Sequence, residues 1–181
     1  MRTLFTQMLR DRQLSERQKQ RVIFCIPKSA RPLTPEDYGP ITLLNTDYKI
    51  LARMIATRVR PILAELIHPS QNCGVHGNTI FGSVPTVQDA IAYAETTRRP
   101  LCVVSLAFKE AFDRISDTNL LTVLRRYGFD AGFIECIRML YGNAKSVMQV
   151  NGHISTPIPT QCGVREGCPL SMSQPFVILS G

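Results

Sequence analysis

The sequence predicts a fold of the α+β class, with helices and strands mixed along one continuous domain. Segments in which apolar residues recur with the helical period alternate with short runs of β-branched residues. Asn151 and Gly152 separate two such runs, and this pair supplies the positive-φ positions of a tight hairpin turn. Because 44% of the 181 residues are apolar, the chain is long enough to bury one core.

The first forty residues predict a helix, a strand and a loop. Residues 4–20 are polar and basic with scattered Leu, Met and Phe, which indicates a helix. Residues 22–26 form a β-prone run that stops at Pro27, which predicts a strand. Residues 27–40 contain four prolines and a glycine, so we expect an irregular loop there.

Two helices are expected between residues 46 and 97. Thr46 can cap the first, which runs to about Val59 and is interrupted or ended by Pro61. Residues 68–85 are rich in Gly, Pro, Asn and Ser and predict a loop, and residues 86–97 predict the second helix. The apolar face of the first helix would contain Ile50, Leu51, Met54, Ile55 and Val59.

A buried strand and two further helices are expected next. Residues 101–106 (LCVVSL) are a continuous apolar run, which predicts a central strand buried on both faces. Asp117 can cap a helix that Gly128 ends. A second helix follows, through Phe133, Ile134, Ile137 and Leu140.

The C-terminal third begins with the hairpin, whose strands would be residues 147–150 and 153–156. The segment from Gly163 onward opens with two glycines and tends toward helix after Pro169.

Basic residues are concentrated at the N-terminus of a chain whose net charge is +7. Residues 1–31 contain eight Lys and Arg residues and two acidic residues. The other 150 residues contain 13 Lys and Arg residues and 12 acidic residues. A basic segment on a near-neutral body fits contact with RNA or DNA, and a solvated helix face is an equally weighted alternative. The basic residues are Arg2, Arg10, Arg12, Arg17, Lys19, Arg21, Lys28 and Arg31.

The sequence predicts an intracellular protein, in the nucleus or the cytoplasm, that is not secreted and has no membrane partner. It contains no run of 18 apolar residues, and its first residues lack the apolar stretch of a secretory signal. Six cysteines without a Cys-x-x-Cys pair are expected to be reduced thiols. His68, Cys73 and His76 are possible zinc ligands, but a fourth ligand is missing, so ordinary loop residues are favoured.

Three strings in the sequence carry a specific resemblance. Residues 40–56 read PITLLNTDYKILARMIA, residues 105–114 read SLAFKEAFDR, and residues 163–171 read GVREGCPLS. In this order they resemble the reverse transcriptase domain of LINE-type (non-LTR) retrotransposons, whose patterns are R-P-I-S-L-L-N-x-D-Y-K-I-L-A, L-D-F-x-K-A-F-D and G-V-R-Q-G-C-P-L-S. Shorter matches at residues 26–28 and 68–71 extend the resemblance over about residues 14–177.

The resemblance implies a right-hand polymerase that copies RNA into DNA. In such enzymes the fingers are N-terminal, and the palm is an antiparallel sheet with helices packed on it. We therefore expect a basic helical arm over residues 1–21, a fingers-like region over 22–98 and a partial palm over 99–181. The palm is expected to be incomplete because the family's Asp-Asp hairpin should follow residue 181.

The chemistry of this family requires carboxylates that hold two Mg²⁺ ions about 3.5–4 Å apart. Ala107 stands where the family has its first metal-binding Asp, and no Asp-Asp pair occurs in the chain. We therefore expect a truncated, degenerate copy that is inactive alone, with no intact catalytic residue, metal site or cofactor. Asp113 matches the family's second acid, which is not the principal ligand, so we interpret it as a structural or supporting residue.

Other positions also depart from the family's pattern. Gly39 replaces an Arg that the family uses on the incoming triphosphate, which leaves only Lys28 of that cationic pair. Glu166 replaces a Gln in the template-and-nucleotide loop and puts a negative charge near phosphates. Further departures are Asn78, Met172 and Pro175.

Several residues match positions that bind nucleotide or template in the family. Phe112 matches the side chain that blocks a ribose 2′-hydroxyl, and the alternative is a core aromatic residue. Gly163, Arg165 and Gly167 match the loop that packs the template against the nascent pair, and the alternative is an ordinary turn. The predicted nucleotide- and template-binding residues are Lys28, Phe112, Asp113, Gly163, Arg165 and Gly167.

Three hypotheses follow from these residues. The favoured one is an inactive reverse transcriptase fragment; the others are a non-catalytic RNA- or DNA-binding protein that uses its basic arm, and a product with no selected role. In addition, a strand at residues 101–106 without its partner hairpin would have an open edge. Such an edge predicts self-association or partial unfolding.

Overall fold

A computed structural model describes residues 2–68, 70–72, 79–106, 114–160 and 162–171. In these residues the helices are α1 (Arg2–Asp11), α2 (Glu16–Lys19), α3 (Thr46–Leu66), α4 (Ser83–Thr97), α5 (Asp117–Arg126) and α6 (Ala131–Tyr141). The strands are β1 (Gln20–Pro27), β2 (Tyr38–Leu44), β3 (Lys145–Val150), β4 (His153–Ile154) and β5 (Ile158–Pro159). None of the described helices is both long and apolar enough to cross a membrane.

The strands form one sheet in the order β2-β1-β3-β4, with β5 also paired to β3. β1 is antiparallel to β2 and parallel to β3, and β3 is antiparallel to both β4 and β5. Helices therefore accompany a mostly antiparallel sheet, which confirms the predicted α+β class.

Strand β1 confirms the strand predicted at residues 22–26, but β2 corrects the loop predicted at residues 27–40. The chain turns through a short 3-10 helix at Pro35–Asp37 and enters β2 at Tyr38. Pro40 lies within β2, opposite Cys25 of β1. A proline is tolerated there because β2 is at the edge of the sheet, where a missing N–H leaves no inner partner unsatisfied.

Helix α3 is longer than predicted and begins with a different cap. The side-chain oxygen of Asn45, not that of Thr46, accepts the backbone N–H of Asp47. The helix continues to Leu66 with the exposed Pro61 inside it, because core packing of one whole face outweighs the backbone hydrogen bond that proline removes. The buried residues of this face are Tyr48, Leu51, Ala52, Ala56, Val59 and Leu63.

The basic N-terminal segment folds onto the body of the protein. It forms two helices and not the single predicted one, since Arg12 has a φ of 50° and Ser15 caps α2 in a reciprocal pair with Gln18. Phe5, Met8, Leu14 and Gln18 are buried. The predicted arm is therefore a packed helical unit.

The predicted central strand at residues 101–106 is wrong. These residues form no strand, and Val103, Val104 and Leu106 are 61%, 70% and 76% exposed. A buried strand needs hydrogen-bonding neighbours, and within the described residues no strand pairs with this segment, since β1 and β3 occupy the centre of the sheet. Helix α4, which begins three residues before the predicted Thr86, also buries none of its described side chains.

The two helices and the hairpin that follow are confirmed. Ser116, one residue before the predicted cap, accepts the N–H of Asn119, and Gly128 ends α5 with a φ of 79°. Helix α6 buries Ile134, Ile137 and Leu140. The turn between β3 and β4 has φ values of 49° at Asn151 and 80° at Gly152, which is the geometry that the Asn-Gly pair predicts.

Candidate nucleic-acid interface

The segment Gly163–Ser171 is a loop that presents alternate sides to the core and to solvent. Val164, Arg165, Cys168 and Leu170 are buried, whereas Glu166 and its neighbour Gly167 are exposed. The buried side chains hold the loop against α3 and α6, so the exposed edge has a defined position.

Arg165 is the most unusual residue of this loop because it is a cation with only 1% of its surface exposed. Its Nη1 donates to the backbone oxygen of Gln18 at 3.3 Å, and its guanidinium lies 4.6 Å from the centre of the Tyr48 ring. Its Nε and Nη2 have no hydrogen-bond partner among the described residues. A buried charge is normally paired, so Arg165 holds the loop at an energetic cost.

The positive charge of Arg165 acts on the carboxyl group of Asp117, at the start of α5. Burial raises the pKa of the Asp117 carboxyl, and the positive charge of Arg165 opposes that rise. Asp117 is thus an electrostatic neighbour of Arg165, but no hydrogen bond joins the two residues.

A buried hydroxyl network fixes the end of the loop. The Tyr48 hydroxyl donates to the Leu140 backbone oxygen at 3.4 Å, and the Tyr141 hydroxyl lies 3.3 Å from Ser171 Oγ. Ser171 Oγ donates to the backbone oxygen of Arg165 at 2.6 Å. Burial raises the pKa of both tyrosines well above the usual value, so both remain neutral hydrogen-bonding groups.

The two glycines are required by the shape of the loop. Gly163 has a φ of 92° and donates its N–H to the Ile115 oxygen at 2.7 Å. Gly167 has a φ of 71°, and a Cβ on it would lie 3.2 Å from the backbone oxygen of Thr42. Any other residue at 167 would therefore be strained and crowded against β2.

The exposed edge of the loop contacts β2 through one side-chain hydrogen bond. Thr42 Oγ1 donates to Glu166 Oε2 at 3.3 Å. This bond orients the carboxylate, and it places a negative charge at the rim of the adjoining cleft.

The cleft beside this edge has a volume of about 500 Å³ and lies between the loop and α3. Among the described residues that line it, Arg53 and Arg60, two turns apart on α3, are cations and Glu166 is a carboxylate. Among the described residues, none of these three side chains forms an ion pair. The cleft therefore has a positive charge that a polyanion can neutralise.

The sequence did not identify Arg53, Arg60 or Thr42 as site residues. The spacing of Arg53 and Arg60 could have indicated a shared surface, because residues seven apart on a helix lie on the same face. The short distance from Thr42 to the loop depends on a contact between residues 124 positions apart, which no local pattern reports.

Lys28 lies elsewhere on the surface and is not part of this cleft. It is exposed just after β1, with its Nζ 3.4 Å from the backbone oxygen of Glu36. Its Cε would be 3.3 Å from a Cβ on Gly39. The stem of Lys28 thus lies over Gly39.

Three of the predicted binding residues share the loop, namely Gly163, Arg165 and Gly167. Ala107, Phe112 and Asp113 lie outside the described residues, as do Cys73, His76, Asn78, Met172 and Pro175.

One position bears directly on a paired Mg²⁺ site. Ala107 has no oxygen in its side chain, and Mg²⁺ prefers oxygen ligands. In the part of the chain that the structure describes, no three His, Cys, Asp or Glu residues come together in a group that could hold a metal ion.

Some basic residues of the predicted arm form hydrogen bonds or ion pairs with other residues of the chain. Arg21 lies in β1, and its guanidinium donates to Ser146 Oγ at 2.7 Å and to Thr160 Oγ1 at 3.3 Å. Lys19 and Lys145 both bond to Glu16, and these bonds lower the pKa of Glu16 to about 2. The arm residues that remain exposed include Arg10, Arg12 and Arg17.

Comparison with known proteins identifies the family. Residues 26–175 match the family described as reverse transcriptase (RNA-dependent DNA polymerase). The transposon TX1 uncharacterized 149 kDa protein of Xenopus laevis is 36% identical over 150 residues, which is 83% of this chain and 12% of that protein.

Two further relatives are more distant in sequence. A Pol polyprotein from the type-1 retrotransposable element R2 of Popillia japonica is 26% identical and covers 81% of this chain and 20% of its own length. The probable RNA-directed DNA polymerase from transposon BS of Drosophila melanogaster is 25% identical and covers 92% of this chain and 19% of its own length. The chain thus spans a fifth or less of each of these relatives, and it belongs to the reverse transcriptase family as a domain of the kind found in LINE-type, non-LTR retrotransposons.

Proposed function

We propose that this chain is a reverse transcriptase domain segment that binds nucleic acid but does not transfer nucleotides. The observation that supports inactivity is Ala107, which stands at the position of the family's first metal-binding aspartate. Without that carboxylate, two closely spaced Mg²⁺ ions lose a shared ligand, and the attacking and leaving oxygens lose their stabilisation. This reasoning applies to any polypeptide that contains this segment.

The 181-residue chain is expected to give no primer extension on an RNA template with deoxynucleotides and Mg²⁺. The Ala107→Asp variant of the same chain is also expected to be inactive, since it restores one carboxylate and adds no Asp-Asp pair. Extension is measured by resolving a labelled primer on a gel. Template-dependent product above the no-protein blank would refute the proposal of inactivity.

Binding is supported by the cleft between α3 and the Gly163–Ser171 loop. Two unpaired guanidinium groups, Arg53 and Arg60, line this cleft of about 500 Å³. Guanidinium groups pair with phosphates through two parallel hydrogen bonds. The alternative nucleic-acid-binding surface is the exposed part of the N-terminal arm, which contains Arg10, Arg12 and Arg17.

Replacing Arg53 and Arg60 with Gln is expected to weaken binding of a labelled single-stranded oligonucleotide by on the order of tenfold at low salt. The slope of log affinity against log salt concentration should fall by about 1.4, because two phosphate contacts are lost. Fluorescence anisotropy over a salt series measures both quantities.

Two control variants separate the cleft from general charge. Arg58→Gln removes one charge from an exposed position of α3 that does not line the cleft, and it should change affinity little. A triple Gln variant at Arg10, Arg12 and Arg17 tests the arm. If the triple variant loses binding and the cleft variant retains it, the arm and not the cleft binds nucleic acid.

A further inference from the structure

We propose that Glu166 makes the cleft selective for bases that present an amino group, so that cytosine is preferred to thymine or uracil. This inference rests on the proposed function, because it concerns the base of a strand whose phosphates Arg53 and Arg60 would bind.

The carboxylate of Glu166 is oriented but only partly used. Thr42 donates to Oε2, and Oε1 has no hydrogen-bond partner among the described residues. The backbone on either side is constrained, because Arg165 is buried in the core and Gly167 lies against the Thr42 backbone. The free oxygen is thus an acceptor in a defined place at the rim of the cleft.

The positive and negative side chains that line the cleft do not form ion pairs with each other. Neither Arg53 nor Arg60 lies within ion-pair distance of Glu166 in the described structure, although all three line the same cleft. A ligand that satisfies both signs must offer negative groups to the arginines and a hydrogen-bond donor to the carboxylate. A nucleotide unit with an amino-bearing base meets both requirements.

Base chemistry then gives the direction of the preference. The N4 amino group of cytosine offers two N–H donors at the edge of the base, whereas thymine and uracil offer one N3–H between two carbonyl oxygens that repel a carboxylate. A single strand is the ligand considered, because its unpaired bases can turn toward Glu166. A correctly placed acceptor discriminates between bases by about fivefold or more.

The test compares oligo-dC and oligo-dT of equal length, labelled at the same end, by fluorescence anisotropy at one salt concentration. The wild-type chain is expected to bind oligo-dC about fivefold more tightly. Glu166→Gln is expected to bring the ratio near one, because an amide can both donate and accept. Thr42→Val should reduce the ratio by releasing the carboxylate, and Glu95→Gln, which removes an exposed acid on α4, should leave it unchanged.

The results separate this inference from the proposed function. Equal wild-type binding of the two oligonucleotides, or an unchanged ratio in Glu166→Gln, would overturn the inference while the arginine-dependent binding stands. Equal tightening of both oligonucleotides in Glu166→Gln would show that Glu166 only repels phosphate. No wild-type binding to either oligonucleotide would overturn both proposals.

Discussion

Replacing Arg165 with methionine is expected to raise the free energy of unfolding by about 1–3 kcal/mol, which is the cost of burying hydrogen-bond donors without partners. Arg165 is buried with one hydrogen bond to the Gln18 backbone and a contact with the Tyr48 ring, and its other two nitrogens have no partner in the described structure. Methionine fills a similar narrow space, contacts an aromatic ring favourably and needs no hydrogen bonds. The desolvation cost of the cation is therefore removed while the packing is retained.

Arg165→Lys is the matched control for the charge. It keeps a buried cation but loses the planar group that lies over Tyr48, so it should lower the free energy of unfolding by about 1–3 kcal/mol. Urea unfolding followed by circular dichroism measures both variants against the wild type. If Arg165→Met were destabilising by more than 1 kcal/mol, the guanidinium would have favourable partners beyond Gln18 and Tyr48.

The 181-residue chain is expected to self-associate through the exposed apolar segment at residues 101–106, and a Val104→Lys, Leu106→Lys variant should be largely monomeric. These two side chains are 70% and 76% exposed, and burying one such side chain contributes roughly 1.5–3 kcal/mol. Each substitution is therefore expected to weaken association by on the order of tenfold. Light scattering coupled to size-exclusion chromatography, over a concentration series, measures the association.

Leu33→Lys is the control for this prediction. Leu33 is 90% exposed but lies in the loop between β1 and β2, away from the segment in sequence. Its replacement should leave the association unchanged. A wild-type chain that is a monodisperse monomer at every concentration would contradict the prediction, and the apolar run would then need no partner.

Local sequence patterns predicted the elements that depend on local physics. Backbone preferences of single residues determine the Asn-Gly turn and the end of α5 at Gly128. A short run of β-prone apolar residues determines strand β1. The motif strings predicted the family, because they are matched along most of the chain. They also identified the loop at Gly163–Ser171 and its two required glycines.

The positions that local patterns missed depend on contacts between distant residues. Pro40 lies in a strand because β2 is at the edge of the sheet, and α3 continues past Pro61 because one of its faces is buried. The apolar run at 101–106 is exposed, although its composition resembles that of a buried strand. Composition specifies what a segment can bury, but only its neighbours in space decide whether it is buried.

The sequence by itself therefore determined the family, the loop and the alanine at position 107. Only the tertiary structure decided that Arg165 is in the core while Glu166, the next residue, lies at the rim of a cleft with Arg53 and Arg60. The physical reason is that charge is a property of a residue, whereas its burial and its partners are properties of the packing around it.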